Sequence, residues 1–170
     1  MRASSSRAIG LLDALIHAEI SVWNRLEREL WDTPDAATLG RYLTMRAIAD
    51  HPADPRIRDI ARIQHITIGA ASRLVDRLET DGLVDRHHDP ADRRATLLTL
   101  TDAGRHRLAV SSAVVARALT DLLAPFTADE IDSLTPLLAR LADAADSSIP
   151  PPLAPAPTSP IRGRGRAMTR

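Results

Sequence analysis

The segment from Thr67 to Gly104, TIGAASRLVDRLETDGLVDRHHDPADRRATLLTLTDAG, constrains this chain more than any other stretch. Thr67 suits a helix N-cap, because its hydroxyl can accept from an orphaned backbone N–H, and Gly82 suits the position just past a helix end. Leu83-Val84 then opens a short run that ends in Arg86-His87-His88. A polar turn, Asp89-Pro90-Ala91-Asp92, carries Arg93 and Arg94 on its far side. Ala95 to Leu100 is β-prone, and Thr101 is placed to cap the next helix. The expected unit is a helix followed by a β-hairpin with a charged tip. Such a helix fits a DNA major groove, and a basic hairpin reaches an adjacent minor groove.

The flanking sequence reads as helices. From about residue 6 to residue 32, Ile9, Leu12, Ile16, Ile20, Trp23, Leu26 and Leu30 recur at spacings of three and four, and Leu11, Leu15 and Val22 widen the stripe. A helix lying on one small domain needs a narrower apolar face, so the excess points to a second chain, the alternative being deep burial in its own core. Thr33-Pro34-Asp35 breaks that helix, with Pro placed to open another. Helices are expected over about 38–49 and 56–64, with His65-Ile66 linking the latter to Thr67. Two helices joined by a short turn, the second capped, make a helix-turn-helix.

Within the second of these, Ala70, Leu74 and Leu78 repeat every four residues, with Ala71 and Val75 beside them, and form the expected buried face. Gly69, Ser72, Arg73, Asp76 and Arg77 are left on the other side. Taken alone, Arg73 and Arg77 would suit a solvated face with intrahelical pairs to Asp76 and Asp81. Between a helix-turn and a basic hairpin, they read as DNA contacts.

After Thr101 a long helix runs to about Ala124, and Pro125 stops it. Thr127-Ala128-Asp129-Glu130 has capping-box spacing and opens a last helix through Ile131, Leu134, Leu137, Leu138 and Leu141. Pro136 should kink that helix or end its first segment. From Ser147 the chain becomes Pro-rich and then Arg/Gly-rich, a composition that builds no core, so 147–170 reads as a disordered tail.

Composition narrows the class. The 170 residues are enough for one domain with a real core, expected over 1–146. With 44 % hydrophobic residues but 2 % aromatic, that core must be aliphatic. The absence of cysteine excludes disulfides and thiolate metal sites within the chain and suits a cytoplasmic protein. No apolar run approaches the roughly 20 residues that span a bilayer, so no membrane partner is expected. All 22 basic residues are arginine, balanced by 22 acids, so any charge that serves DNA binding has to be local.

The stretch RLVDRLETDGLVDRHHDPADRRATLLTLTDAGR resembles the MarR family of bacterial winged-helix transcriptional regulators. The likeness lies in Leu74–Leu83 at the end of the recognition helix, Arg86–Arg94 in the wing, and Leu100–Gly104 after it, and the helices around them agree in number and order. It implies a mainly α fold with a small β-hairpin wing: a winged helix-turn-helix over about 38–101, with long dimerisation helices over about 6–32 and 102–146. It implies a homodimer that binds double-stranded DNA at a pseudo-palindrome, more often as a repressor.

Carried over residue by residue, Arg73 and Arg77 would contact DNA from the recognition helix and Arg94 from the wing; Thr67, Gly69, Ser72, His88 and Arg93 beside them are further candidate DNA contacts. Arg94 would occupy the minor groove, where a planar guanidinium suits the negative potential of A·T runs, and Asp92 would orient it. The chain departs from the family pattern at the apolar start of the recognition helix, Ile68-Gly69-Ala70-Ala71, and at His65, where Gly is frequent. Effector sensing by a small molecule is the family's usual control, and by that analogy His17, Trp23, Arg41, Tyr42 and Arg46 are candidate pocket residues.

Other chemistry finds less support. Adjacent His87 and His88 on a strand would point to opposite faces and could not easily chelate one ion. No serine has an evident His and acid constellation, and no Gly-rich phosphate loop exists, so neither an enzyme nor a cofactor is expected. A winged-helix protein–protein interaction module is the alternative, allowed by the neutral charge and the apolar start of the recognition helix.

Overall fold

The computed structural model describes residues 2–90, 92 and 95–146. Six helices and one hairpin follow the order α1 (Arg2–Trp31), α2 (Leu39–Ala49), α3 (Ile57–Ile63), α4 (Ile68–Thr80), β1 (Val84–His88), β2 (Thr96–Leu100), α5 (Asp102–Leu123) and α6 (Ala128–Asp146). The fold is therefore mainly helical with one antiparallel hairpin. Contacts divide the chain into a unit over 1–124 and a second beginning at Pro125. Among the described residues no single helix is long and apolar enough to cross a membrane.

In the first unit α2 joins two cores. Leu39 and Tyr42 pack with Leu26 and Leu30 of α1 and with Val114, Val115 and Ala118 of α5. Met45, Ala47 and Ile48, further along α2, pack instead with α3, α4 and the hairpin through Ile60, Ala61, Val75, Leu78, Val84 and Leu98. Met45, Ile60, Val75, Leu78 and Leu98 are sealed from solvent, and burying each such side chain contributes roughly 1.5–3 kcal/mol. The buried hydroxyls are satisfied on both sides. Thr44 donates to the Gly40 carbonyl at 2.8 Å and accepts from Gln64 Nε2 at 3.0 Å. Ser111 donates to the Arg107 carbonyl at 2.8 Å and accepts from the Ala37 N–H at 2.9 Å.

The segment between α1 and α2 differs from expectation. Pro34 opens no helix: residues 32–35 are turn, and Asp35 takes a positive φ of 59°. Thr33 ends α1 by donating from its hydroxyl to the Glu29 carbonyl at 2.8 Å. The start of α2 is held from outside, because Thr38 makes no side-chain cap and Glu27 of α1 accepts from the Leu39 N–H at 2.8 Å. Ile63, the last residue of α3, is 43 % exposed.

The helix-turn-helix is shaped by two matching helix ends. After α3, the His65 N–H reaches the Arg62 carbonyl at 3.3 Å and the Ile66 N–H reaches that of Ala61 at 3.0 Å. After α4, the Gly82 N–H reaches Glu79 at 2.9 Å and the Leu83 N–H reaches Leu78 at 2.8 Å. Both are Schellman ends, with His65 at φ 52° and Gly82 at φ 69° in the left-handed position. The hairpin pairs Val84 with Leu100 through His88 with Thr96. Leu98 donates past the hairpin to the Pro55 carbonyl at 2.9 Å, which ties β2 to the start of α3.

The second unit carries α6. Thr127 and Glu130 close a capping box, with the Thr127 N–H donating to Glu130 Oε2 at 2.8 Å and the Glu130 N–H to Thr127 Oγ1 at 3.3 Å. Donation to the Glu130 carboxylate from the Thr127 N–H, and next from the Thr127 hydroxyl at 2.9 Å, holds that carboxyl below the usual glutamate range. Pro136 does not end the first segment: α6 continues through it to Asp146. The proline removes one helix donor on a largely exposed helix, where water can reach the freed carbonyl, and neighbouring Leu and Ala residues favour the helix on either side.

Candidate nucleic-acid interface

The exposed side of α4 carries Arg73, Asp76 and Arg77. Thr67 caps the helix by accepting from the Ala70 N–H at 3.2 Å. The buried face is Ala71, Val75 and Leu78, with Ala70 and Leu74 only half-buried. It is rotated from the Ala70-Leu74-Leu78 line read in the sequence, because Leu74 turns toward a cleft beside α2. Gly69, Arg73, Asp76 and Arg77 are exposed, and Ser72 is half-buried.

Ion pairs leave the two arginines of this face available. Asp76 and Glu79 are taken by Arg86 of β1, whose Nε lies 3.0 Å from Glu79 Oε2. Asp81 is taken by Arg41 of α2 at 2.7 Å. The intrahelical pairing considered for Arg73 and Arg77 is therefore replaced by pairing of the same acids to other elements. Among the described residues Arg73 and Arg77 have no ion-pair partner. The helix surface carries cations whose nearest acids are neutralised from elsewhere, an arrangement that suits an anionic partner.

The hairpin is anchored beside α4. Arg56, the N-cap of α3, donates to Asp89 Oδ2 at 2.7 Å and lies 3.7 Å from Asp92 Oδ2. The turn is closed by Ala95 N–H to Asp92 carbonyl at 2.8 Å and Asp89 N–H to Ala95 carbonyl at 3.0 Å. His87 Nε2 sits 3.1 Å from Asp54 Oδ2, while His88 is exposed at the end of β1. Among the described residues no cluster of three His, Asp or Glu side chains is arranged to hold a metal ion. Arg93 and Arg94, assigned to the wing, lie outside the described residues, as does the tail over 147–170. The tether through Arg56 was missed in the sequence, because its partners lie more than thirty positions away and nothing local marks the pair.

A cleft of about 730 Å³ lies against α1, α2, α3 and α4. Of the five candidate pocket residues, Trp23 and Arg46 line it, together with Asp50, Arg62, Ile63 and Leu74. Tyr42 is buried in the core shared with α1 and α5, Arg41 is paired to Asp81, and His17 is exposed on α1. None of these three lines the cleft. Arg46 Nε donates to Asp50 Oδ2 at 3.2 Å, and that bond, reinforced by Tyr42, holds the guanidinium above the ordinary arginine range.

The sequence pattern of the MarR family matches residues 37–95, the segment that builds α2 through the hairpin turn. The uncharacterized HTH-type transcriptional regulator YdgJ of Bacillus subtilis (strain 168) is 36 % identical over 83 residues, 49 % of this chain and 51 % of that relative, so the match spans about half its length. Transcriptional regulator HosA of Escherichia coli O111:H- is 31 % identical over 115 residues, 66 % of this chain and 82 % of HosA. The PcaV transcriptional regulator from Streptomyces coelicolor, solved in complex with its natural ligand, superposes with a TM-score of 0.65 at 30 % identity, covering 79 % of this chain and 91 % of PcaV. A mutant MarR from E. coli, solved with operator DNA, superposes with a TM-score of 0.70 at 26 % identity, covering 79 % of this chain and 95 % of that one. The helix-turn-helix, its wing and the extended likeness to HosA lead to one conclusion: this chain belongs to the MarR family of winged-helix transcriptional regulators.

Proposed function

We propose that the chain acts as a homodimeric repressor that binds a pseudo-palindromic operator, one winged module to each half-site. The observation that carries this reading is the exposed face of α4, where Arg73 and Arg77 have no acidic partner among the described residues. In this reading α4 enters the major groove, with Arg73 at base edges and Thr67, Gly69, Ser72 and Arg77 along the backbone. His88 and Arg93 meet phosphates beside the wing, and Arg94, oriented by Asp92, enters the minor groove. The relative solved with operator DNA supports the nucleic-acid partner.

A second copy supplies what the apolar rows lack. Ile9, Leu12, Ile16 and Ile20 on α1 are 46–59 % exposed, and Leu134, Leu137, Leu138 and Leu141 on α6 are 41–56 % exposed. Rows this long on a soluble regulator call for a partner surface, and a second copy of the same helices provides one. The domain reading is accordingly a single regulator over 1–146, with α1, α5 and α6 as its dimerisation helices, working in the cytoplasm.

The cleft is the proposed effector site. Trp23, Ile63 and Leu74 offer an apolar wall, and Arg62 and the Arg46–Asp50 pair offer polar groups beside it, so a small, partly apolar ligand whose acidic group exchanges with Asp50 at Arg46 fits its chemistry. The complex of PcaV with its natural ligand supports control by a small molecule.

Fluorescence anisotropy of the full chain tests the function. DNA from the region upstream of its own gene is compared with random duplex at two salt concentrations. Selective binding, two subunits per site and steep weakening with salt are expected, since neutralised phosphates release counterions. Absence of binding at low salt would move the assignment to the protein-docking module.

A further inference from the structure

We propose that Ile68 is a sequence-reading residue whose side chain packs against the C5-methyl group of a thymine in the major groove. The inference rests on the DNA-binding reading of α4 and adds a base preference to it.

Ile68 is the first residue of α4 and 63 % exposed, and it belongs to neither apolar cluster. The cap from Thr67 to Ala70 fixes the backbone at this tip. Gly69 and Ala70 follow, and a Cβ added at Gly69 would meet nothing within 4 Å, so the approach beside Ile68 is open. In a helix-turn-helix the N-terminal residues of the recognition helix are those that reach base edges. Ile68 is the one large side chain of this first turn, and it is apolar. A β-branched side chain is stiff at χ1, so little freedom is lost when it is pinned against a partner. Thymine alone among the four bases presents an apolar group in the major groove. Ser72 and Arg73, four and five positions on, add a hydroxyl and an exposed cation one turn further along the helix, so the occupant that complements this tip is a DNA major groove rather than an apolar protein surface.

The test uses the full chain and duplexes selected by it from a random library. Each thymine of the preferred site is replaced singly by deoxyuridine, which removes only the methyl group. At one symmetry-related pair of positions the wild-type chain is expected to bind about fourfold more weakly, the factor that corresponds to burying one methyl group. Ile68→Ala should bind thymine and deoxyuridine duplexes equally there, while Arg73→Ala keeps the methyl dependence despite weaker binding. Ile68→Val, which retains two methyl groups, should restore part of the discrimination, and unchanged circular dichroism melting checks that each variant folds. Selective binding with no deoxyuridine effect, or one that survives in Ile68→Ala, overturns the inference and leaves the DNA reading intact. Failure to enrich any sequence overturns both.

Discussion

The carbonyl oxygen of Leu83 occupies the space that a side chain on Gly104 would need. The first turn of α5 is thereby pressed onto the exit from α4. Thr101 completes the contact, its N–H donating to that same carbonyl at 3.1 Å and its hydroxyl to the Gly82 carbonyl at 2.7 Å. The leucine-threonine-x-x-glycine signature after the wing thus has a steric reason: only glycine lets the helix start lie against the strand entry.

Gly104→Ala should therefore be strongly destabilising. The added methyl meets backbone, which cannot rotate away, so a loss of about 3 kcal/mol is expected. Urea denaturation checks this, with Ala103→Gly as a control at an exposed neighbour that lacks the clash.

Two left-handed helix ends predict opposite effects. His65 holds a positive φ without being glycine, so His65→Gly removes about 1–2 kcal/mol of left-handed strain against the roughly 0.5–1 kcal/mol that glycine's added freedom costs on folding, a net stabilisation of roughly 0.5–1 kcal/mol. Gly82→Ala has open space around the new Cβ and therefore isolates the backbone term, with an expected loss of about 1 kcal/mol. Thermal melts of both variants against the parent measure the pair, and a destabilised His65→Gly would show that the histidine side chain holds the turn.

Much of this architecture was legible because its signals are local. Thr67, Thr101 and Glu130 announce caps within three or four residues, and Gly82 announces a helix end by its chemistry alone. His65 does the same structural work as Gly82 with a residue that gives no such sign. Pro34 misled because a proline that permits a helix start does not cause one. The α2 start was set by Glu27 of α1, twelve positions back. The pairings of Arg86 with Asp76, Arg41 with Asp81 and Arg56 with Asp89 follow only from tertiary placement. Reading Arg73 and Arg77 in isolation pointed to Asp76 and Asp81 as partners, since the elements that claim those acids come from elsewhere in the chain. The cleft was half legible for the same reason: Trp23 and Arg46 line it, but Tyr42 faces the core.

The Glu130 box predicts a pH effect of definite sign. Its carboxyl titrates below the usual range because the ionised form accepts from the Thr127 N–H and hydroxyl. A lowered folded-state value means that the cap contributes fully above the unfolded-state value and is lost as pH falls through the folded one. Carboxyl carbon NMR should place the Glu130 midpoint below that of exposed glutamates, and Thr127→Ala should raise it. Fraying of the first turn of α6 should follow the same titration.

Arg73 and Arg77 should separate specificity from general affinity. Both are exposed on one face of α4, and Arg73 lies one turn nearer the N-terminal end, the end that reaches base edges in a helix-turn-helix, while Arg77 lies a turn further back, where it can meet the backbone. Arg73→Ala should cost roughly 1–3 kcal/mol on the preferred duplex and much less on random DNA, because a lost base contact matters only where the base is right. Arg77→Ala should weaken both duplexes alike and reduce the slope of log affinity against log salt by about 1, because a phosphate contact carries no sequence information. Anisotropy titrations over a salt series on the two duplexes give both quantities. Equal losses on both duplexes from Arg73→Ala would reassign that side chain to the backbone and leave base reading to the rest of the helix tip.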